Sequence, residues 1–299
     1  WKGSHANAHM LAGSVIERAR AQLGGGDEAP LSLPAGAGMP SGRQPVDWHK
    51  EILQALNERR LALAYQPVVN AGSRSIAFHE GLLRLRNRAG RLLPAAVFIP
   101  ASEENGLVSL LDLRVIELAA EALAQRPDLK LSINASAPSL CNPDWLAALR
   151  SYALSSKAFA GRLILEITES MALVDIKRTI DVLGAVKALG IGVAIDDFGA
   201  GHTSFRNLRD LPVDIVKIDG AFVQDVDRSS DGRFFIRALV DLARHIGCKV
   251  VGEWVENEAS ARIIETIGVD YLQGRLFGAP KLLGQPKRVR EEGPRRRSA

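Results

Sequence analysis

Carboxylates follow apolar runs at several places in this sequence, a pattern typical of metal-dependent chemistry. The clearest case is the run at 193–195, which leads directly into Asp196 and Asp197. Similar runs end in other polar residues, namely Asn134, Glu166 and Glu253. Removing a carboxylate from water is costly unless it is paired or bound to metal. We therefore expect these strand ends to converge on a cation.

The complete candidate set is rich in oxygen ligands. It comprises five carboxylates, one lysine and two carboxamides: Glu80, Asn134, Glu166, Asp196, Asp197, Lys217, Glu253 and Gln273. Such ligands suit Mg²⁺ or Mn²⁺ better than zinc. One Mg²⁺ does not need so many carboxylates, whereas two neighbouring ions would use them all. A two-metal site stabilises the attacking and leaving oxygens of a phosphoryl displacement.

Taken singly, these residues have ordinary structural interpretations. An isolated Asp or Glu after a strand more often caps a helix or a turn, so Asp197 alone could be a cap. Lys217 alone would be a surface lysine, and Asn134 alone a turn residue. The joint occurrence favours a site, because independent caps would not alternate so regularly with apolar strands.

Strand and helix patterns alternate between residues 46 and 280. Strands are predicted at 61–69, 76–83, 129–135, 163–168, 192–197, 215–219, 249–255 and 271–273, and amphipathic helices at 108–125, 176–189, 234–245 and 258–267. Three of these helices stop at glycines typical of helix ends, Gly190, Gly247 and Gly268. The pattern predicts an α/β fold, a (β/α)₈ TIM-like barrel, with a doubly wound open sheet as the alternative. The barrel is favoured because polar residues terminate many different strands.

Composition excludes several classes of protein. The 299 residues are 46% hydrophobic, which is enough for a substantial core. The two cysteines are far apart and indicate a reduced compartment rather than a disulfide framework. We see no apolar stretch of the ~18 residues that a membrane span needs, and no signal peptide. The sequence therefore predicts a cytoplasmic protein, with any membrane tether in a missing N-terminal region.

The two ends of the sequence differ from the middle. We interpret residues 1–10 as a vector remnant, and residues 11–45 as a short helix followed by a flexible linker rich in Gly, Pro, Ala and Ser. The linker predicts an upstream regulatory domain. Residues 281–299 have a net charge of +5, whereas the whole sequence has +4. The rest of the sequence therefore has a net charge of −1. Such a tail could touch nucleic acid or anionic lipid, but we predict a disordered, solvated terminus and no nucleic-acid polymer as partner.

Nine motifs between residues 52 and 280 closely resemble the EAL family of cyclic di-GMP phosphodiesterases. They stand in the same order as in the family, which makes chance agreement implausible. The stretches that carry the resemblance are 65–69 (YQPVV), 80–84 (EGLLR), 98–103 (FIPASE), 134–136 (NAS), 166–170 (EITES), 196–201 (DDFGAG), 216–219 (VKID), 253–256 (EWVE) and 273–274 (QG).

The resemblance implies a role for each candidate residue. The first metal would be held by Glu80, Asn134, Glu166 and Asp196. Asp196 would bridge to the second metal, held by Asp197 and Glu253. Lys217 would orient or help deprotonate the attacking water, Glu253 is a general base in an alternative assignment, and Glu169 would brace the loop after Asp197. The substrate-binding residues would be Gln66, Leu82, Arg84, Asp219 and Gln273.

The resemblance also implies an activity. It is the hydrolysis of cyclic di-GMP to linear pGpG in a bacterial homodimer that uses two Mg²⁺ or Mn²⁺ ions. Ca²⁺ is expected to bind but to support turnover poorly. A catalytically inactive cyclic di-GMP receptor is the alternative, although such receptors usually lose metal ligands and this sequence keeps them. A sugar-cleaving barrel needs only two acids and leaves Asn134 and Lys217 unexplained.

Some positions depart from the family pattern. The signature Glu-Ala-Leu is Glu-Gly-Leu here, with Gly81 expected to loosen the strand. Trp254 stands where the family usually has glycine, and alternation along the strand predicts that it points outward. The other departures are Ala200, His202 and Arg275.

Overall fold

Strands from both halves of the chain close into one barrel, and helices cover its outer surface. The structure is a computed structural model and describes residues 46–199 and 209–283. Within these ranges the strands are β1 (Leu61–Asn70), β2 (Ile76–Arg86), β3 (Leu92–Pro94), β4 (Leu131–Asn134), β5 (Leu163–Thr168), β6 (Gly192–Phe198), β7 (Ile215–Ile218), β8 (Lys249–Gly252) and β9 (Tyr271–Gln273).

The helices follow the strands, as the alternating pattern predicts. They are α1 (Trp48–Asn57), α2 (Ile99–Glu104), α3 (Val108–Gln125), α4 (Ala137–Leu140), α5 (Pro143–Ser155), α6 (Lys157–Ala160), α7 (Glu169–Val174), α8 (Ile176–Ala188), α9 (Gly220–Gln224), α10 (Ser230–His245) and α11 (Glu258–Ile267), with a 3₁₀ turn at Ala95–Val97. Side-chain oxygens cap the first turns of several helices: Asp47, Asn142, Asp175, Ser229 and Asn257. The three helix-end glycines have φ values of 84°, 82° and 110°.

The barrel contains all eight predicted strands, and β3 pairs with β2 outside it. Pairing runs β1, β9, β8, β7, β6, β5, β4, β2 and closes through β1 with β2. The predicted (β/α)₈ TIM-like barrel is thus confirmed, and the open sheet is excluded. One strand departs from a regular parallel barrel, because β1 is antiparallel to both β2 and β9. The turn at 71–75 is too short for the crossover that a parallel pair requires.

Two layers of side chains fill the barrel. The lower layer is a small apolar cluster of Val68, Phe78, Ile164, Ala194, Ile215 and Val251. Each of these residues lies two positions from a candidate site residue: Gln66, Glu80, Glu166, Asp196, Lys217 and Glu253. Since residues two apart share one face of a strand, the upper layer is the polar site. In β1 the polar residue precedes the apolar one, because this strand runs in the opposite direction.

Glu80 differs from the expectation in its position along the strand. The sequence places it with the strand ends, but β2 continues to Arg86, so Glu80 lies midway along it. It still lies in the upper layer because it follows Phe78 by two residues on the inner face.

A buried carboxylate fixes the chain just after β4. Asp112 on α3 accepts hydrogen bonds from Ser136 N (2.8 Å), Ser136 Oγ (2.6 Å) and Ser139 Oγ (2.7 Å). Burial raises the pKa of Asp112, while these donors act in the opposite direction. The contacts attach α3 to the turn that follows Asn134, a candidate metal ligand.

Asp112→Ala should therefore destabilise the fold, because it leaves buried donors without an acceptor. We expect a loss of about 1.5–3 kcal/mol in the free energy of unfolding, the typical worth of a hydrogen bond to a charged group. Urea denaturation followed by circular dichroism would measure it. The matched control is Asp128→Ala, an exposed loop residue, for which a change within about 0.5 kcal/mol is expected. Equal effects of the two substitutions would contradict the structural role of Asp112.

In the described ranges, none of the helices has the length and apolar character needed to cross a membrane. Several expectations lie outside the described residues: the vector remnant, the short helix and linker, the departures at Ala200 and His202, and most of the basic tail.

Candidate metal centre

Lys217 lies at the centre of the polar layer, surrounded by carboxylates. Its Nζ is 2.8 Å from Glu166 Oε2, 2.9 Å from Asp196 Oδ1 and 2.9 Å from Glu253 Oε1. Glu80 Oε2 is slightly farther away, at 3.6 Å. The lysine side chain is only 1% exposed. It is therefore a buried cation and not the surface lysine that its isolated interpretation suggested.

The mutual proximity of these charges shifts their pKa values. Burial raises the pKa of Glu166 to about 8; Lys217 opposes this shift, and Glu80 and Asp196 add to it. The pKa of Glu253 is likewise raised to about 8 by burial, against the effect of Lys217. Burial lowers the pKa of Lys217, but the four carboxylates together raise it well above its usual value. Lys217 is therefore protonated at neutral pH.

Two groups of carboxylates are close enough to bind metal ions. Glu80, Glu166 and Asp196 place ligand oxygens within 4.8 Å of one another, and so do Asp196, Asp197 and Glu253. Asp196 belongs to both groups. The acidic residues could thus hold metal at two adjacent positions that share one carboxylate.

Carboxamides orient the first group. Asn134 Nδ2 donates to Glu80 Oε1 at 3.0 Å, and Gln273 Nε2 donates to Glu80 Oε2 at 2.6 Å. Because the Asn134 NH₂ group faces Glu80, its carboxamide oxygen is left as a ligand. Gln273 Nε2 also lies 3.3 Å from Gln66 Oε1, so one chain of contacts links Gln66, Gln273 and Glu80.

The donor set fits a hard divalent cation. Glu166 is 0% exposed, yet its Oε1 has no hydrogen-bond partner among the described residues. A buried carboxylate oxygen without a partner is costly unless a cation is bound to it. Among the described side chains of the site there are five carboxylates and one ammonium, that of Lys217, which contacts four of them. This excess of oxygen ligands and, when they are ionised, of negative charge matches oxygen-ligated divalent ions.

The backbone near the end of β6 turns sharply at the second aspartate. Asp197 has φ of 54°, and its N–H donates to Asp196 Oδ1 at 3.0 Å. Gly199 follows with φ of 99°, and its N–H donates to Glu169 Oε2 at 2.8 Å. Glu169 thus contacts the start of the segment that the resemblance expects it to brace. The left-handed residue directs the Asp197 carboxylate toward Glu253 rather than along the strand.

A cleft of about 270 Å³ opens above the carboxylates. Its lining combines the metal-site residues with most of the predicted substrate-binding residues: Gln66, Glu80, Leu82, Asp196, Asp197, Lys217, Glu253, Trp254, Gln273 and Gly274. Gly274, which the sequence offered only as part of the stretch 273–274, is also in this lining. It has φ of 159° and approaches the Val255 backbone closely, which its sequence context does not reveal.

Two predicted substrate-binding residues do not line this cleft. Arg84 Nη1 donates to the carbonyl of Leu83 at 2.9 Å, although Arg84 shares a strand face with Glu80 and Leu82. Asp219 caps α9 by accepting from Ala221 N at 2.6 Å. Their roles toward a substrate remain predictions.

The expectation for Trp254 is wrong. Strand alternation predicted an outward side chain, but Trp254 lines the cleft and is 52% exposed. Strand β8 ends at Gly252, so alternation does not extend to Trp254. The residue has φ of 50°, which turns its side chain toward the cleft.

Comparison with known proteins gives the family. The family model described as EAL domain matches residues 49–280. The chain belongs to the EAL domain family. It is 35% identical over 245 residues to the cyclic di-GMP phosphodiesterase PdeF of Escherichia coli (strain K12), covering 81% of this chain and 32% of PdeF. The chain spans about a third of the length of the curated relatives it matches.

Solved structures of EAL domains share this barrel. The PaMucR phosphodiesterase in complex with c-di-GMP has a TM-score of 0.71 and 31% identity, covering 79% of this chain and 98% of that one. The FimX EAL domain from Pseudomonas aeruginosa bound to c-di-GMP has a TM-score of 0.73 and 28% identity, covering 79% and 97%. In both relatives c-di-GMP is the ligand.

Divalent metal should stabilise the metal-free protein, and more so at high pH. Glu166 and Glu253 have folded pKa values of about 8, above their ordinary value of 4.5. Their contribution to stability is present below pH 4.5 and is lost as the pH rises through 8. Metal must displace these protons. The gain in Tm on adding Mg²⁺ or Mn²⁺ to EDTA-treated protein should therefore be larger at pH 8 than at pH 6.

At a free metal concentration of 100 Kd the gain corresponds to about 2.7 kcal/mol. Differential scanning fluorimetry would measure it, with K⁺ at equal ionic strength as the control. A gain that is the same at both pH values would contradict proton competition at these carboxylates.

Proposed function

We propose that this EAL domain hydrolyses cyclic di-GMP to linear pGpG with two Mg²⁺ or Mn²⁺ ions. The observation that carries the proposal is the pair of carboxylate groups joined by Asp196, with Lys217 between them and a cleft above. Relatives named as cyclic di-GMP phosphodiesterases, and structures with c-di-GMP bound, support the choice of substrate.

The ligands divide between the two ions. Glu80, Asn134, Glu166 and Asp196 would hold one, and Asp196, Asp197 and Glu253 the other. When bound, the ions supply Lewis-acid activation of water and neutralise charge on the phosphoryl oxygens. The unpartnered Glu166 Oε1 and the carboxamide oxygen of Asn134 provide ligands on the first side.

Lys217 and Glu253 have separate tasks toward the attacking water. Lys217 is a donor and not a base, because the surrounding carboxylates keep it protonated. It orients the water and stabilises negative charge that develops on the phosphate. Glu253 would ligate the second ion, and in the alternative assignment it would instead accept the proton of the attacking water. The water oxygen would bond to phosphorus while the bond from phosphorus to the leaving ribose oxygen breaks, and solvent water would protonate that leaving oxygen.

Other residues hold the dinucleotide. Gln66, Leu82 and Gln273 line the cleft beside the carboxylates and would contact the sugar and base portions. The Arg84 side chain would turn from the Leu83 carbonyl to a substrate phosphate. Its planar guanidinium can donate two parallel hydrogen bonds to phosphate oxygens.

The direct test is incubation with cyclic di-GMP and Mg²⁺ or Mn²⁺, followed by chromatography for pGpG. Formation of pGpG supports the enzyme. Binding of cyclic di-GMP without pGpG, in either metal, would overturn it in favour of a receptor that signals by conformation. If the protein neither binds nor cleaves cyclic di-GMP, both the enzyme function and the receptor function are ruled out.

Asp196→Asn should abolish turnover while leaving the fold intact, because it weakens both metal positions at once. Loss of one electrostatic stabiliser costs about 10²–10³-fold in kcat, and a shared ligand should cost more. Asp181→Asn, on the exposed face of α8, is the control and should leave kcat unchanged. Turnover of Asp196→Asn within a few-fold of the wild type would rule out the two-metal arrangement.

Lys217 and Arg84 should separate catalysis from binding. Lys217→Ala should lower kcat strongly while the affinity for cyclic di-GMP changes less than about tenfold, since its interaction is made mainly in the transition state. Arg84→Ala should weaken binding by about 1.5–3 kcal/mol through a lost charge-assisted contact.

The measurements are isothermal titration in Ca²⁺, which is expected to support binding but little turnover, and a pGpG assay in Mg²⁺. Cleavage in Ca²⁺ as fast as in Mg²⁺ would contradict the expectation for the ion. The homodimer, the upstream regulatory domain and the cytoplasmic location stay predictions from the sequence.

A further inference from the structure

We infer that Trp254 is a substrate-positioning residue that stacks on a purine base of the cyclic dinucleotide. The inference rests on the proposed function and adds a contact that the family glycine at this position cannot make. It starts from one observation: a large aromatic side chain lines a cleft whose other walls are mostly polar.

No contact among the described residues requires Trp254 to be exposed. Among the described residues that line the cleft, only Leu82 and Trp254 have large apolar side chains. Trp254 leaves 52% of its surface in water. A flat purine placed against it would remove that apolar surface from water. Indole and purine rings also attract each other face to face.

The backbone holds Trp254 in place. Val255 N donates to Gln273 O at 2.9 Å, and Leu276 N donates to Val255 O at 3.1 Å. On the other side, Glu253 N donates to Ile218 O at 3.4 Å. The segment 253–255 is therefore attached to both neighbouring parts of the barrel rim. A base that stacks on Trp254 meets a surface that is already ordered, so little conformational entropy is lost on binding.

The side chain is fixed as well, by a glycine on the adjacent helix. A Cβ atom at Gly220 would lie 2.1 Å from both Cγ and Cδ2 of Trp254, which is too close for any real contact. Gly220 thus provides the space that the indole occupies. The aromatic ring of Trp254 can lie where it does only because residue 220 is a glycine.

The position of the ring relative to the carboxylates makes a base its natural partner. Trp254 follows Glu253 directly, and both line the cleft together with Asp197. A phosphodiester held at these carboxylates through metal would place its flanking nucleosides near the other residues that line the cleft. These are Gln66, Leu82, Trp254, Gln273 and Gly274.

The test compares Trp254→Phe, which keeps a ring, with Trp254→Leu, which keeps apolar bulk only. Cyclic di-GMP is titrated calorimetrically in Ca²⁺. Base–aromatic stacking predicts that the Leu variant binds about 5- to 100-fold more weakly and the Phe variant near the wild type. Addition of cyclic di-GMP should quench tryptophan fluorescence in the wild type, and the Phe variant should lose most of that quenching.

Gly220→Ala provides an independent arm with Trp254 still present. The methyl group of the new alanine must displace the Trp254 indole. The affinity of this variant for cyclic di-GMP should therefore fall as it does in the Trp254→Leu variant. Gly184→Ala, on α8 with no atom of the described residues within 4 Å of the added Cβ, is the matched control and should bind like the wild type. All variants should show the same Ca²⁺-induced rise in Tm, which reports an intact metal centre.

The outcomes distinguish this inference from the proposed function. If the wild type binds no cyclic di-GMP, the proposed function fails, and stacking fails with it. If the wild type binds and all variants bind equally, only the stacking is overturned. If the Leu variant binds more tightly than the wild type, Trp254 obstructs the cleft, which also overturns the inference.

Discussion

The structure depends on one electrostatic constraint: five carboxylates must remain close together in a partly buried site. Lys217 relieves part of their repulsion by contacting Glu166, Asp196 and Glu253 at 2.8–2.9 Å. One ammonium cannot neutralise five acids, and the pKa of Glu166 stays raised, first by burial and then by the neighbouring Glu80 and Asp196. Protons or divalent ions must supply the missing positive charge. The same imbalance that weakens the metal-free protein would thus favour the binding of metal.

The barrel supplies the rigidity that holds these charges together. Its lower layer is mostly apolar, and most of the polar site residues lie two positions from an apolar one on the same strand face, as with Ile164 and Glu166 or Ile215 and Lys217. Asn134 differs, because the residue two before it is the buried Ser132. Packing of the lower layer therefore fixes the height and direction of the upper one. Side chains two residues apart lie on the same face of a strand whichever way the strand runs. Gln66 therefore reaches the polar layer although β1 is antiparallel to its neighbours and Gln66 precedes Val68.

The sequence predicted the eight strands and the set of carboxylates because both depend on local pattern. Buried parallel strands are short apolar runs, and a charge after such a run is visible without a structure. Features that depend on distant contacts were not predicted. Gln273 holds Glu80 across 193 residues, and Gly220 makes space for Trp254. The position of Trp254 was predicted wrongly because its left-handed backbone conformation interrupts the strand alternation on which that prediction relied.

The short segment after β8 joins the second carboxylate group to the wall of the cleft. Glu253 contacts Lys217 and belongs to the second carboxylate group, while the next residue forms part of the cleft wall. Since Val255 N and O are both hydrogen-bonded to 273–276, the three residues cannot move independently. A displacement of Trp254 would therefore reach Glu253 through the single peptide bond that joins them. The wall of the cleft at Trp254 and the carboxylate of Glu253 are consequently positioned by one hydrogen-bonded piece of backbone. A bulky residue at 254 is compatible with an ordered metal centre because Gly220 accommodates the ring without displacing that backbone.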